Sequence, residues 1–398
     1  MPKIGVFSEC YKPVLNGVVV SIDTFKRDLE SLGFKYYIFA TDNAKKEAEK
    51  NVYRIPAMLN FEIKGGRYPI AWPQNVGPWA QKAKELKLDL IHSQHLFNVG
   101  SLGLKVAQRN KIPAILTYHT LLAEYGHYFP FLGGLYRKFI ERESRLYCNK
   151  YNAIVTPSTP MKEILIQYGV ETPIEVIPTG INLKDLQNAY PASVIRAKWD
   201  IPEHQKILLY VSRIAKEKNV EFLLESMKQL VFNRRKKHPR ADVHLLMVGG
   251  GPELNNFRDY VEEEGLSPYV TFTDMLKKEI ANRYYGAADL FVFPSITETQ
   301  GIVVSEAMAA GLPAVAINKM GPKDIIKDGE DGFLTHLNRK EFVARIESLL
   351  DNEQKRRAFS ATAKENAKEF SNSVCAVKME KLYENTIRQF AQHNRHSS

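Results

Sequence analysis

The run from Pro294 to Gly311 places two carboxylates, Glu298 and Glu306, on either side of Gly301, just after an apolar stretch ending at Pro294. A strand that runs into a glycine turn and then a helix presents free backbone N–H groups at the helix start. In an open parallel sheet that is where an anion such as a diphosphate binds. Glu298 in the turn and Glu306 about one helical turn inside could then divide a sugar and a pair of ribose hydroxyls between them. A capped helix with an acidic residue near its N-terminal dipole would explain Glu298 but not the whole string. A second cluster, Ser212 to Val220, follows the apolar run Leu208 to Val211. Arg213 and Lys218 bracket a turn there, putting two cations where phosphate oxygens would lie and where they could stabilise a departing diphosphate without a metal. Taken alone, that cluster reads equally well as a charged surface loop.

The elements that must position these groups alternate between short apolar, β-branched runs and amphipathic stretches, the pattern of parallel sheets with crossover helices. Strands are expected at Lys3 to Phe7, Tyr36 to Ala40, Leu90 to Ser93, Ala114 to Tyr118, Ala153 to Thr156 and Ile174 to Ile177. A second series follows at Lys206 to Ser212, His244 to Val248, Val270 to Thr273, Leu290 to Pro294 and Ala314 to Ile317. Ile22, Phe25, Leu29 and Leu32 predict a helix over Ser21 to Leu32 ended by Gly33. Two Rossmann-like domains are therefore expected, residues 1–185 and 200–370, with a polar linker over Leu183 to Ala197. The stripe Cys375, Met379, Leu382, Tyr383 and Phe390 predicts a C-terminal helix, about 374–392, that could cross back to the first domain.

A length of 398 residues exceeds the roughly 250 to 300 at which single cores stop growing, which agrees with two domains. With 44% hydrophobic and 25% charged residues the chain is neither disordered nor membrane-spanning. The N-terminus enters a strand at once, leaving no room for a secretory signal, so a cytoplasmic protein is expected. Cys10, Cys148 and Cys375 are too scattered for a disulfide framework or a CxxC pair and read as reduced packing residues. Fifty-five basic against 45 acidic residues, net +10, favour anionic partners: nucleotides, nucleic acids or acidic lipids. The densest basic run, Arg234 to Arg240, reads as a solvated helix end or loop.

Arg213 with Lys218, the Glu-x7-Glu spacing of Glu298 to Glu306, the loop Tyr11 to Val18 and the His119 segment together resemble the GT4 glycosyltransferases. The resemblance implies a GT-B fold, two Rossmann-like domains facing across a cleft. It implies a donor site in which Asn16 and Gly17 lie on the donor, Gly17 letting the loop after the first strand approach the diphosphate, and Arg213 and Lys218 bind it. Glu298 and the N–H groups near Gly301 and Ile302 would take the sugar, Glu306 the ribose, and Thr273 to Leu276 the base. His119 would face the sugar and the reacting centre; a core histidine at a strand end is the alternative. The family usually retains anomeric configuration by a front-face route in which the leaving phosphate takes the acceptor proton, so no protein base is needed. No Asp-x-Asp motif is present, and neither an essential metal nor another cofactor is expected.

The loop reads Asn16-Gly17 where many relatives have two glycines, and Gln300 replaces a common aromatic residue. With Thr117 to Thr120 and Glu298 to Gly301, these strings resemble the lipid-directed branch that includes diacylglycerol 3-glucosyltransferases. That branch implies UDP-glucose as donor, a membrane lipid as acceptor and a protein peripheral on the inner face of the cell membrane. Two aromatic stretches, Leu59 to Trp72 and Leu121 to Leu132, with Lys64, Arg67, Arg137, Lys138, Arg142 and Arg145, could dock on an anionic bilayer. They could equally be a packed interlobe wall, and a soluble acceptor would use the same lobe. A GDP-mannose-dependent mannosyltransferase and a sugar-nucleotide epimerase remain open. The complete charged set argues against a silent nucleotide-sugar binder. No GxGxxG follows the first strand, against a dinucleotide oxidoreductase. Nucleic acid is not an expected partner.

Overall fold

Nearly every continuous apolar run becomes a parallel strand in the computed structural model, which describes residues 1–14, 16–42, 49–57, 59–63, 66–70, 75–123, 133–237 and 241–396. Such strands are buried on both faces by helices, which is why they carry no polar alternation. The chain divides into two units, Met1–Gly180 with Asn372–Ser398, and Ile181–Ser371.

The first unit contains β1 (Lys3–Ser8), β2 (Lys35–Thr41), β3 (Val52–Ile55), the hairpin of β4 (Leu59–Ile63) and β5 (Gly66–Ile70), β6 (Leu90–Ser93), β7 (Ala114–Thr117), β8 (Ala153–Thr156) and β9 (Ile174–Val176). Its seven-stranded sheet runs β3-β2-β1-β6-β7-β8-β9. Val6 of β1 lies opposite Ile38 on one side and His92 on the other. The second unit contains β10 (Lys206–Val211), β11 (Val243–Val248), β12 (Val270–Phe272), β13 (Leu290–Phe293), β14 (Ala314–Ile317) and β15 (Gly332–Thr335), ordered β12-β11-β10-β13-β14-β15. In each sheet the chain builds outward from one central strand, returns, and builds the other way. The reversal falls between β1 and β6 in the first unit and between β10 and β13 in the second.

All eleven expected strands form, to within one residue at each end. β3 and β15 were not anticipated; both are sheet edges, where a short mixed sequence suffices. Residues 59–63 and 66–70 of the first aromatic stretch pair as antiparallel strands, with Phe61 opposite Tyr68. Lys64, Trp72 and residues 124–132 lie outside the described residues. The helix expected from Ser21 spans Gly17–Ser31, because the Asn16 side chain accepts from Val19 N at 2.9 Å and starts it a turn earlier. Gly33, at φ +96°, ends it as expected.

The segment read as a linker instead packs into the second unit. Its helices Leu183–Leu186 and Ala192–Trp199 bury Leu186 and Ile195 in the core beside Ile207 and Leu209. The C-terminal helix Asn372–His396 lies in the first unit, where Cys375, Met379 and Tyr383 are fully buried with Tyr36 and Leu29. The basic run also needs correction: Arg234 is 2% exposed and ion-paired to Asp242 and Asp351, whereas Arg235, Lys236 and Lys237 are exposed. The three cysteines are free, and burial pushes the thiols of Cys148 and Cys375 up to about 12 and about 11.

Candidate active site

In doubly wound sheets the loops at the carboxyl ends of the two strands flanking the reversal diverge and leave a crevice for ligand. In the second unit those strands are β10 and β13, and they carry the residues singled out from the sequence. Lys218, after β10, pairs with Glu298, after β13, at 2.5 Å, with side chains only 14% and 22% exposed. Two more bonds tie the loops together: Asn219 Nδ2 donates to the Pro294 carbonyl at 3.1 Å, and Thr297 Oγ1 donates to the Glu217 carbonyl at 3.1 Å. Asn219 sits at φ +57° to make this turn. Arg213 is placed differently from Lys218. Its side chain is 63% exposed and pairs with Glu217 at 2.6 Å, so it is the more exposed cation of the cluster.

Gly301, at φ +85°, turns the chain into the helix Ile302–Ala309. That backbone angle favours glycine, and no side chain caps the helix, whose first N–H groups include that of Ile302. Glu306, inside this helix, is 6% exposed. Lys278 Nζ lies 3.1 Å from its Oε1, and the Tyr285 hydroxyl donates to its Oε2 at 3.1 Å. Both partners were missed in the sequence, because nothing in the segment Lys278 to Tyr285 marks it as neighbouring position 306. Burial, then the Glu306 charge, drives the Tyr285 hydroxyl well above its usual range. Leu276 is half-buried at the edge of the core beyond β12.

The equivalent crevice of the first unit lies beyond β1 and β6. A cavity of about 100 Å³ there is lined by Glu9, Gln94, His95, His119 and Thr120 among others. His119 follows β7, and its Nε2 lies 2.8 Å from Gln94 Oε1, which makes Nε2 the donor nitrogen. Burial, then His95 and His92, lowers its pKa to about 3, so the ring is neutral at neutral pH. Behind it runs a buried chain. Thr117 Oγ1 lies 2.7 Å from His92 Nε2, His92 Nδ1 lies 2.7 Å from the Tyr383 hydroxyl, and that hydroxyl lies 2.8 Å from Tyr36. The C-terminal helix is thus bonded to the strands that carry Gln94 and His119. Asn16 was expected on the donor, yet its amide caps a helix through Oδ1 and donates to Cys10 Sγ at 3.2 Å. Among the described residues a Cβ at Gly17 would meet nothing within 4 Å, so their packing gives no reason for a glycine there. Open space above that backbone is what a closely approaching ligand needs.

These histidines set the acid stability of the first unit. Burial lowers His92 to about 3 and His95 to about 4, alongside His119. The unfolded chain takes up these protons below about 6.5, and the folded chain does not until far lower. Stability present above pH 6.5 is therefore lost as pH falls toward 4. Glu9, raised to about 7 by burial, acts in the opposite sense, one group against three. The urea midpoint of the first unit should fall between pH 6.5 and 5, and a flat midpoint would contradict the neutral imidazoles.

Two doubly wound sheets with charged loops at both reversals define an α/β protein of the kind that holds phosphorylated ligands. A family model described as glycosyl transferases group 1 matches residues 192–366, and one described as Glycosyltransferase Family 4 matches residues 15–185. The chain is 31% identical to the alpha-monoglucosyldiacylglycerol synthase of Streptococcus pneumoniae over 355 residues, covering 87% of this chain and 78% of that one. It is 29% identical to the alpha-monoglucosyldiacylglycerol synthase of Acholeplasma laidlawii over 394 residues, 96% of each. HepE of Anabaena, solved in complex with UDP, superposes with a TM-score of 0.77 over 97% of this chain and all of that one, at 18% identity, a likeness of fold. The chain belongs to the family 4 glycosyltransferases. The family and the two-domain α/β fold inferred from the motifs are both confirmed.

Proposed function

We propose that this glycosyltransferase is a retaining, metal-independent hexosyltransferase that moves glucose from UDP-glucose to the hydroxyl of a membrane lipid such as 1,2-diacylglycerol. The observation that carries the donor half is the Lys218–Glu298 pair at the reversal of the second sheet. Lys218 has three N–H bonds and gives one to Glu298, leaving two for a diphosphate, and the exposed Arg213 adds a second cation. Gly301 and Ile302 offer backbone N–H groups and Glu298 a carboxylate to the sugar. Glu306 takes the ribose hydroxyls, and Leu276 packs near the base. His119 acts on the reacting sugar.

In the reaction the anomeric carbon–phosphate oxygen bond breaks and its electron pair leaves with the diphosphate. The acceptor oxygen bonds the same face of that carbon, and its proton passes to the departing phosphate oxygen. Arg213 and Lys218 stabilise the growing charge, which is the work a metal would otherwise do.

The acceptor half rests on the two relatives named as monoglucosyldiacylglycerol synthases. A feature of the first unit supports it. The helix Gly133–Cys148 exposes Leu135 (67%), Phe139 (54%) and Leu146 (40%), with exposed Lys138, Arg142 and Arg145 at flanking positions. An apolar stripe edged by cations suits the boundary of an anionic bilayer. Among the described residues no helix is long and apolar enough to cross a membrane, and a peripheral seat on the inner face of the cell membrane is proposed.

The deciding experiment follows labelled sugar from UDP-glucose, UDP-galactose and GDP-mannose onto diacylglycerol in mixed micelles with anionic lipid, each with EDTA. Labelled lipid from UDP-glucose alone is expected. Product from GDP-mannose would replace the donor, loss of product in EDTA would overturn metal independence, and donor hydrolysis without lipid product would move the acceptor to soluble hydroxyls. In the same assay Glu306→Ala should raise the donor KM, whereas His119→Ala should mainly slow turnover, by roughly a hundredfold. Equal loss of nucleotide affinity in both variants would contradict the two roles.

A further inference from the structure

Glu9 is the first residue beyond β1, at the reversal of the first sheet. It lines the same cavity as Gln94 and His119, and its backbone N–H donates to His95 Nδ1 at 3.1 Å, which fixes the chain direction at this point. Among the described residues its carboxylate has no hydrogen bond or ion pair, although the side chain is half-buried. Carboxylates that support a fold are paired when removed from water, because an unpaired buried charge is costly. Burial alone raises this carboxyl to about 7, the mark of that unrelieved cost. Two other polar groups on the cavity wall are already engaged: Gln94 with His119, and His95 with the Glu9 backbone. Glu9 thus offers a carboxylate without a partner among the described residues, in the crevice where such sheets bind ligand.

We propose that Glu9 binds the sugar acceptor, its carboxylate accepting a hydrogen bond from the acceptor's reacting hydroxyl and holding that oxygen beside His119. The inference rests on the proposed transfer to a hydroxyl-bearing lipid. Glu9 orients the hydroxyl and takes no proton; the proton still passes to the departing diphosphate.

The test uses the full chain, UDP-glucose as donor and 1,2-dioleoylglycerol in mixed micelles with phosphatidylglycerol. Glu9→Ala should raise the acceptor KM by roughly ten- to a hundredfold, as loss of a charge-assisted hydrogen bond does. Glu9→Gln, which retains an accepting oxygen, should raise it less. UDP affinity should stay within about twofold, and the urea midpoint of Glu9→Gln should not fall, since among the described residues the carboxylate has no partner to lose. An unchanged acceptor KM overturns the inference, as does a loss of UDP affinity or stability that matches the loss of transfer. If the wild type makes no lipid product, the lipid reading has failed and glycerol becomes the acceptor. An unchanged glycerol KM in Glu9→Ala then overturns the inference separately, and a wild type that transfers to neither overturns both.

Discussion

Lys218→Ala should lower sugar transfer by roughly 10²- to 10³-fold, about 3 to 4 kcal/mol of barrier, the usual consequence of removing one donor aimed at a developing oxyanion. The loss should appear in kcat as well as kcat/KM, because charge on the diphosphate is greatest as the bond to the sugar breaks. Lys218 is also the counter-ion of Glu298, so truncation leaves that carboxylate without its partner. A double-mutant cycle with Glu298→Gln separates the two effects. If Lys218 acts on the diphosphate, Lys218→Ala remains severe in the Glu298→Gln background. If it only neutralises Glu298, the double variant is no slower than Glu298→Gln alone. Lys218→Arg should retain a measurable part of the rate, since charge persists while the compact ammonium does not. Steady-state transfer, with the unfolding midpoint of each variant as a check on the fold, decides it. Turnover within threefold of the wild type in Lys218→Ala would remove it from the chemistry.

Arg234→Ala should destabilise the second unit by about 3 to 5 kcal/mol, the range for breaking a buried ion pair from one side. The side chain is 3% exposed. Nε donates to Asp242 Oδ1 at 2.6 Å, Nη2 donates to Asp242 Oδ2 at 2.5 Å, and Nη1 reaches Asp351. These bonds join the helix Val220–Lys237 to the start of β11 and to the end of the helix Arg339–Leu350. Asp351 shows the coupling from the other side. Burial acts to raise its carboxyl, but Lys237 and Arg234 outweigh that and hold it below the usual range. Its share of the stability is therefore present above the ordinary carboxylate pKa and lost in acid as the group protonates. Arg234→Met keeps the aliphatic stem while removing the charge, and should recover only the packing part of the loss. Urea unfolding of the second unit is the measurement, and a midpoint unchanged in Arg234→Ala would show the pairing to be of no consequence.

The sequence carried the sheets well because parallel strands advertise themselves. Ile207 to Val211 in β10 and Leu290 to Phe293 in β13 are continuous apolar runs, and each became a central strand. Val52–Ile55 in β3 carries an arginine, and Gly332–Thr335 in β15 opens on glycine; both lie at sheet edges, where burial demands less. The supposed linker was misjudged because polar composition was taken for exposure. Ile195 at one point of a short helix was enough to seat it in the core. Within the donor half the local spacing of Arg213 to Lys218 and of Glu298 to Glu306 was legible, since each pair sits on one strand-turn-helix unit. Their partners across the fold, Tyr285 and Lys278 on Glu306, were not.

What the sequence determined by itself is local: which segments are apolar enough to be strands, where Gly301 and Gly33 permit backbone angles other residues resist, and which short charged strings resemble those of the glycosyltransferase family. What only the tertiary structure decided is which distant segments meet. It bonded Tyr383 of the C-terminal helix to His92 behind the strand that leads to His119, buried Arg234 beside the exposed Arg235, Lys236 and Lys237, and left Glu9 without a side-chain partner among the described residues in a cavity beside Gln94. The reason is physical. Periodicity and backbone preference act over a few residues, whereas burial and pairing depend on the order of strands in a sheet, which brings Phe7 beside Ser93 and Leu209 beside Phe291 across some eighty positions of chain.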